Sequence, residues 1–291
     1  MPPGRHHGTR AAPRPSRIRP HPQRRAQPRR GAFAVDGKCL RGAVRADGSR
    51  VFVMTAVRHD DALTAALCEI GAKTNEILEF APLLDTIDDR DLADAVVTVD
   101  ALHAQKEHAR YLVEQRGAHY LLSVKNNQPT LARQLRNLPW SKTPVLHRSH
   151  GRGHGREEKR EVQVVTVDRL LVPHARQVVR IRRKRRRLGA KKWSTETVYA
   201  VTDLAAHQAA ATEIAAWARG HWIIENTVHW TMDVTFAKDA SQVRRHRTPA
   251  TMSSLRDLTR ATLHRAGWAN IASGRRAHTQ FETVLTFHGI P

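Results

Sequence analysis

Two aspartates close short apolar runs: Ala32 to Asp36 gives way to Gly37, and Ala95-Val96-Val97-Thr98-Val99 ends in Asp100. Each run reads as a strand, and ligands and catalytic groups gather at the carboxyl ends of strands in an open sheet. Either Asp alone could equally be a turn or helix-cap residue. Together they say more, because carboxylates on neighbouring strand ends can share a divalent cation such as magnesium. A third acid, Glu225, lies in His221-Trp222-Ile223-Ile224-Glu225-Asn226-Thr227-Val228-His229-Trp230. His221, Glu225 and His229 recur at i, i+4 and i+8 and so share a helical face. A zinc-protease site needs two histidines four apart with Glu beside the first, and this spacing excludes it. Packing beside the tryptophans accounts for both histidines. Glu225 stands on a partly apolar helix, where an unpaired charge would be costly.

The elements that must position these acids follow from periodicity. Ala32 to Asp36 and Val51 to Val57 read as strands joined through a polar turn around Asp47-Gly48, while Ala62 to Ile70 fits strand or helix. A helix is predicted from Thr74 onward, with Ile77, Phe80, Leu83 and Leu84 on one face and Thr74 or Asn75 as its cap. A buried strand at 95–100, a helix from about Gln105 to Arg116 and a strand at Tyr120 to Val124 imply a parallel pair with a helical crossover. From about 143 to 203 the chain reads as a β-rich insertion. Its strands are Val162 to Val167, Gln177 to Ile181 and Thr195 to Thr202, separated by the cluster Gly151 to Arg156 and by an arginine-rich cluster. Ala209 to about Met232 is helical, and a last helix is predicted over Thr251 to Arg265 with Leu255, Leu258 and Thr262 or Leu263 on its apolar face.

Charge narrows the partners. The chain has 291 residues, with 49 Lys and Arg against 27 Asp and Glu, for a formal charge of +22. Residues 1 to 31 hold nine arginines and no acid, and a segment so poor in apolar surface is expected to be disordered. The body is basic as well, most densely from Arg176 to Lys192, where Arg182, Arg183, Arg185 and Arg186 are candidate DNA contacts. Such density suits a polyphosphate partner, since each neutralised phosphate releases counterions. Neither basic stretch has the apolar helical face that membrane-surface binding requires, and no apolar run approaches the roughly 20 residues that span a bilayer. Cys39 and Cys68 stand alone, which fits a reducing compartment.

Six ordered blocks then carry a resemblance. They are Val35-Asp36-Gly37-Lys38-Cys39-Leu40-Arg41-Gly42, Lys73-Thr74-Asn75-Glu76-Ile77, Val97-Thr98-Val99-Asp100-Ala101-Leu102-His103, Tyr120 to Pro129, Gly153-His154-Gly155-Arg156 and His221 to Asn226. Over roughly residues 32 to 265 they resemble the motifs of the ISAs1-type insertion-sequence transposases, a group of the DDE transposases. The resemblance implies an α/β, ribonuclease-H-like fold, with a mixed sheet, flanking helices and a β-rich insertion before the last catalytic helix. It places the catalytic and metal-binding triad on Asp36, Asp100 and Glu225, holding two magnesium ions for in-line displacement at phosphorus, with manganese able to substitute. Lys38, Arg41, Lys125 and Arg156 would contact phosphates, Asn126 or Gln128 a sugar or base edge, and His221 DNA as well; His103 is read as structural.

The same resemblance implies double-stranded DNA as partner, both element ends and target, with a dimer on DNA, no membrane, and a cytoplasmic, nucleoid-associated location. It divides the chain into a tail at 1–31, a catalytic domain at 32–265 and a C-terminal extension at 266–291. Members of the family carry a helical domain before the first Asp, so an N-terminal truncation is expected, and Lys238 stands where the family tends to have an acid. Three activities stay open: a strand-transferase, a truncated and inactive DNA-binding remnant, and a ribonuclease-H-like nuclease that cuts without joining.

Overall fold

The computed structural model describes residues 30–71, 76–153 and 155–280. The tail up to residue 29, the cap at Thr74 or Asn75 with Lys73 beside it, His154, and the last part of the C-terminal extension lie outside the described residues.

Alternating apolar residues build an antiparallel meander from β1 (Ala32–Val44), β2 (Arg50–Arg58) and β3 (Thr64–Ile70). Strand β1 does not end at Asp36 as its apolar run suggests. Its parallel neighbour β4 (Val96–Val99) leaves it after Val35, while β2 goes on supplying hydrogen bonds along the other edge. Asp36 is therefore the first residue of β1 beyond its pairing with β4. All four residues of β4 are buried, as expected of a strand covered on both faces. After β3 come α1 (Glu76–Asp85) and α2 (Asp89–Leu92). After β4, α3 (Lys106–Arg110) runs into a wider π-type turn, Tyr111–Gln115, and returns the chain to β5 (His119–Val124), parallel to β4. The helical crossover read from the sequence is present. Beyond β5 lies α4 (Pro129–Arg136), with proline in its first turn.

Four further strands extend the same sheet: β6 (His147–Gly153), β7 (Arg156–Thr166), β8 (Gln177–Arg187) and β9 (Ser194–Thr202). Among the described residues this gives a nine-stranded mixed sheet in the order β3-β2-β1-β4-β5-β9-β8-β7-β6. Two clusters taken as separators are strand instead. Gly151 to Gly153 belong to β6, and the arginine-rich cluster is largely β8 itself, because β7 sets glutamates across from its arginines: Arg186 faces Glu157, Arg185 faces Glu158 and Arg182 faces Glu161. Opposite charges directly across a ladder stabilise it.

Strand alternation sorts the core. Phe33, Val35, Val97, Val99, Tyr120 and Leu122 pack on one face with Phe80, Leu83, Leu84 and Leu112. On the other face Ala32, Val96 and Leu121 meet Ile214 and Trp217 of α5 (Ala211–Gly220), and Ala34 and Val57 meet Ile224 and Val228. The fold is thus mixed α/β, a large sheet with helices on both faces. After α5 the chain turns and continues in wide π-type helical segments, Ile224–His229 and Thr231–Thr235, then α6 (Thr248–Arg265) and α7 (Ile271–Ala277). Leu255 and Leu258, on the expected apolar face of α6, are 50% and 60% exposed. Of the expected face only Leu263 is buried, together with Pro249, Ser253, Asp257 and Arg260. Arg260 sets that orientation, donating to Asp257 at 2.7 Å and to the Ala62 carbonyl at 2.7 Å. No helix among the described residues is long and apolar enough to cross a membrane.

Candidate active site

Ala34 and Thr98 are partners in the parallel β1–β4 pair. Asp36 and Asp100 each lie two residues further on, which returns their side chains to the sheet face of Ala34 and Thr98. That is the face against which Ile224 and Val228 pack, and Glu225 follows Ile224 on the exposed side of the same helix. The three acids singled out from the sequence therefore share one side of the sheet. Asp36 Oδ1 accepts the Gly37 N–H at 2.9 Å, and Asp100 Oδ1 accepts the Leu102 N–H at 2.8 Å, capping the short turn Ala101–His103.

The field at Asp36 is the clearest electrostatic feature. Burial and then the charges of Asp100 and Glu225 push its carboxyl from 3.8 up to about 7, against the pull of the Gly37 N–H. Glu76 adds to the rise, a fourth acid that sequence reasoning quoted in a motif but gave no role. It is buried at the start of α1, its carboxylate seated over Gly37 so closely that a Cβ there would collide with Oε1. Gly37 is thus reserved by close approach, and only the fold reveals this. Oxygen donors that repel one another suit a hard divalent cation, which would relieve the repulsion. Among the described residues no three of these groups are drawn into a ready-made ligand cluster; Asp36, Asp100 and Glu225 share a face and a field, while Glu76 acts on Asp36 from the Gly37 side of the sheet.

Behind Asp36, His229 is buried with Nδ1 3.7 Å from Asp36 Oδ2, and its Nε2 is buried without a hydrogen-bond partner. Burial, then Lys238 and Lys38, push this histidine down to about 3, so it is neutral. Lys38 reaches Asp233 at 2.6 Å, and the buried Lys238 reaches the same carboxylate at 3.2 Å. Lys38, expected on DNA, is held inside the fold. His103 is buried with its ring near Phe80 and His108, consistent with a structural role. His221, also expected on DNA, bonds through Nδ1 to the Thr98 hydroxyl at 3.1 Å.

The remaining DNA candidates divide by partner. Lys125 is exposed just past β5, and strand alternation from Leu121 puts it on the face of the acids. Asn126 accepts from Arg136, while Gln128 donates to the Ala104 carbonyl at 2.9 Å. Asn127, not singled out from sequence, donates to the Ala101 carbonyl at 2.6 Å and ties the loop after β5 to the turn after Asp100. Arg41 is exposed, 3.6 Å from Asp239, and Arg156 is exposed at the start of β7. On β8, Arg182 pairs with Glu161 at 3.9 Å, Arg183 with Glu158 at 2.5 Å, Arg185 with Glu196 at 3.3 Å and Arg186 with Glu157 at 2.6 Å. The Arg183 guanidinium also lies 5.7 Å from the Trp222 ring centre, linking the outer strands to the helix of Glu225.

Comparison with known proteins sharpens the picture. The family model described as "Transposase DDE domain" matches residues 27–253. YncI of Escherichia coli O157:H7, provisionally named a transposase, is 27% identical over 252 residues, 78% of this chain and 60% of that protein. YbfL of Escherichia coli (strain K12) is 26% identical over 242 residues, 78% of this chain and 62% of its own. The H repeat-associated YhhI of the same strain, also provisionally named a transposase, is 25% identical with the same coverage. The chain spans about three fifths of the length of these relatives. Among solved structures, a methyltransferase from Clostridium acetobutylicum covers 43% of this chain and 46% of its own at a TM-score of 0.17 and 7% identity, too slight a likeness to carry an argument.

Proposed function

The chain belongs to the transposase DDE domain family, and from that membership we propose that it cuts and joins DNA as the transposase of an insertion sequence, with Asp36, Asp100 and Glu225 as its catalytic acids. The observation that carries this reading is the field at Asp36, where burial first, and then two further acids on the same face, raise the carboxyl to about 7. Structural acids are normally placed beside cations; acids that repel one another mark a place where a cation or proton is to be bound.

The order β3-β2-β1-β4-β5, with β1, β4 and β5 parallel, supports a ribonuclease-H-like core. We read 32–265 as the catalytic domain, the strands within about 143–203 as its insertion, 266–291 as an extension, and the group as ISAs1-type. Magnesium or manganese bound by the three carboxylates would supply positive charge to the scissile phosphate and to the attacking and leaving oxygens. This chain's own residues do the rest. Asp100 is fixed by its cap bond to Leu102, and Asn127 and Gln128 brace the loop that carries Lys125 beside it. Lys125, Arg41 and Arg156 lie exposed where a phosphate backbone can reach them, contacts that position DNA without reading its sequence. The β8 arginines form a further basic surface, restrained by glutamates. Both element ends and target would be double-stranded DNA, bound by a dimer in the cytoplasm.

The test is cutting and strand transfer on a duplex carrying the repeats that flank this chain's own gene, with magnesium or manganese. Joined products from the natural chain are expected to vanish in Asp100→Ala while duplex binding persists; joined products from the variant would contradict the assignment.

A further inference from the structure

Thr98 lies two residues before Asp100 on β4, buried, on the same sheet face. Three polar atoms converge on its hydroxyl: the Phe33 carbonyl oxygen at 3.1 Å, His59 Nε2 at 3.0 Å and His221 Nδ1 at 3.1 Å. A hydroxyl has one proton to donate and two lone pairs with which to accept. The carbonyl can only accept. All three contacts are satisfied together when Thr98 donates to Phe33 and both imidazoles donate an N–H to Thr98. His59 has little room to do otherwise, since its ring lies against Gly220, where a Cβ would collide with Nδ1. His221 is the next residue, so the bare glycine and the shared hydroxyl together fix where its ring stands.

Burial drives His59 down to about 3 and also lowers His221 against the opposing pull of Asp100. Both rings are therefore neutral near pH 7. A neutral imidazole that donates through Nδ1 keeps its lone pair on Nε2. The hydrogen bonds of the His221 ring run to Thr98, at its hydroxyl and at its backbone. Nδ1 faces Thr98, so Nε2 lies on the far side of the ring, and the groups whose charges act on this imidazole include Asp100 and Lys125, with His59 and His103 also near.

With phosphoryl transfer at the three acids as premise, we infer that His221 is a catalytic proton acceptor, taking on Nε2 the proton of the attacking water or DNA 3′-hydroxyl, rather than a donor to a DNA phosphate. In that step the nucleophile's O–H bond breaks and its proton forms an imidazolium beside Asp100. The freed oxygen pair makes the new P–O bond, the bridging P–O bond breaks, and the leaving 3′-oxygen takes a proton from water. Thr98 acts through His221 by fixing the tautomer, and is a positioning residue.

Nitrogen-15 NMR of the full chain reads the tautomer directly and without activity: protonated Nδ1 and bare Nε2 are expected on His221. Single-turnover cutting of the gene-repeat duplex, with duplex affinity by fluorescence anisotropy, gives the second readout. His221→Gln is expected to lose about 10²-fold or more in rate with affinity unchanged. His221→Arg is expected to lose rate too, although a phosphate contact would survive that change. Thr98→Val should mix the tautomers and lower the rate several-fold, and Thr98→Ser should restore both. A protonated Nε2, His221→Gln cutting within twofold of the natural chain, or full activity in His221→Arg would each overturn the inference. A natural chain that does not cut, set beside the expected tautomer, would overturn the phosphoryl-transfer premise and the proton transfer with it.

Discussion

On β8, Arg182, Arg183, Arg185 and Arg186 each meet a glutamate from a neighbouring strand, whereas at the ends of the β1–β4 pair Asp36 meets the charges of Asp100, Glu225 and Glu76. The two regions belong to one sheet and follow opposite rules. The outer strands neutralise a dense charge within the fold and keep a basic surplus for solvent. The inner strands, otherwise apolar, gather like charges where burial makes each more costly. Elsewhere on the inner half the usual rule holds, as the buried pair Arg260–Asp257 shows at 2.7 Å. A charge arrangement left unresolved in a region that resolves its other charges marks where a ligand enters.

The largest expected stability effect tests the rule itself. Asp257→Ala strands the Arg260 guanidinium in the interior and should destabilise the fold by about 3–5 kcal/mol, as removing one partner of a buried pair does. Urea unfolding checks it; a loss below about 1 kcal/mol would mean that the inner half tolerates unpaired charge and that the acids at Asp36 are nothing special.

Asp36→Asn should act in the other direction. Its carboxyl is raised from 3.8 to about 7, so the stability it lends is complete below about pH 4 and drains away as pH climbs through about 7. In metal-free buffer the natural chain should lose stability over that window at up to about 1.4 kcal/mol per pH unit. The variant should show a flatter curve and, at pH 8, a gain on the order of 1–3 kcal/mol, together with lost activity. Parallel curves for the two proteins would remove the like-charge account of the site.

A smaller effect sharpens the outer half. Glu158→Gln removes the carboxylate that pairs with Arg183. Duplex affinity should rise a few-fold, and the salt dependence should steepen by about one counterion for each additional phosphate neutralised. An unchanged salt slope would place those strands away from DNA.

The inner half was the more legible in sequence, for a physical reason. Val96 to Val99 is buried on both faces and reads as an unbroken apolar run, and the acids follow such runs directly. The outer half shows its apolar strand segments in the sequence but hides how far the strands run. Arg182 to Arg187 looks like a separator after the strand Gln177 to Ile181 until Glu157, Glu158 and Glu161 are known to lie across from it, and that register depends on residues about 25 positions away. Leu255 and Leu258 misled because helical periodicity names an apolar face without saying what it packs against; the Ala62 carbonyl bonded to Arg260 decided α6. Glu76 over Gly37 and the Thr98 hydroxyl shared by two histidines are likewise contacts between distant segments, and spacing along the chain carries no trace of them.

The central claim is that Asp36, Asp100 and Glu225 act as one cation-binding group. Manganese binding by the full chain, followed by electron paramagnetic resonance with the gene-repeat duplex present, tests it most directly. Saturable binding by the natural chain, weakened at least about tenfold in each of Asp36→Asn, Asp100→Asn and Glu225→Gln while duplex affinity holds, is the expected result. Equal manganese binding by all three variants, or none by the natural chain at millimolar manganese, would contradict it.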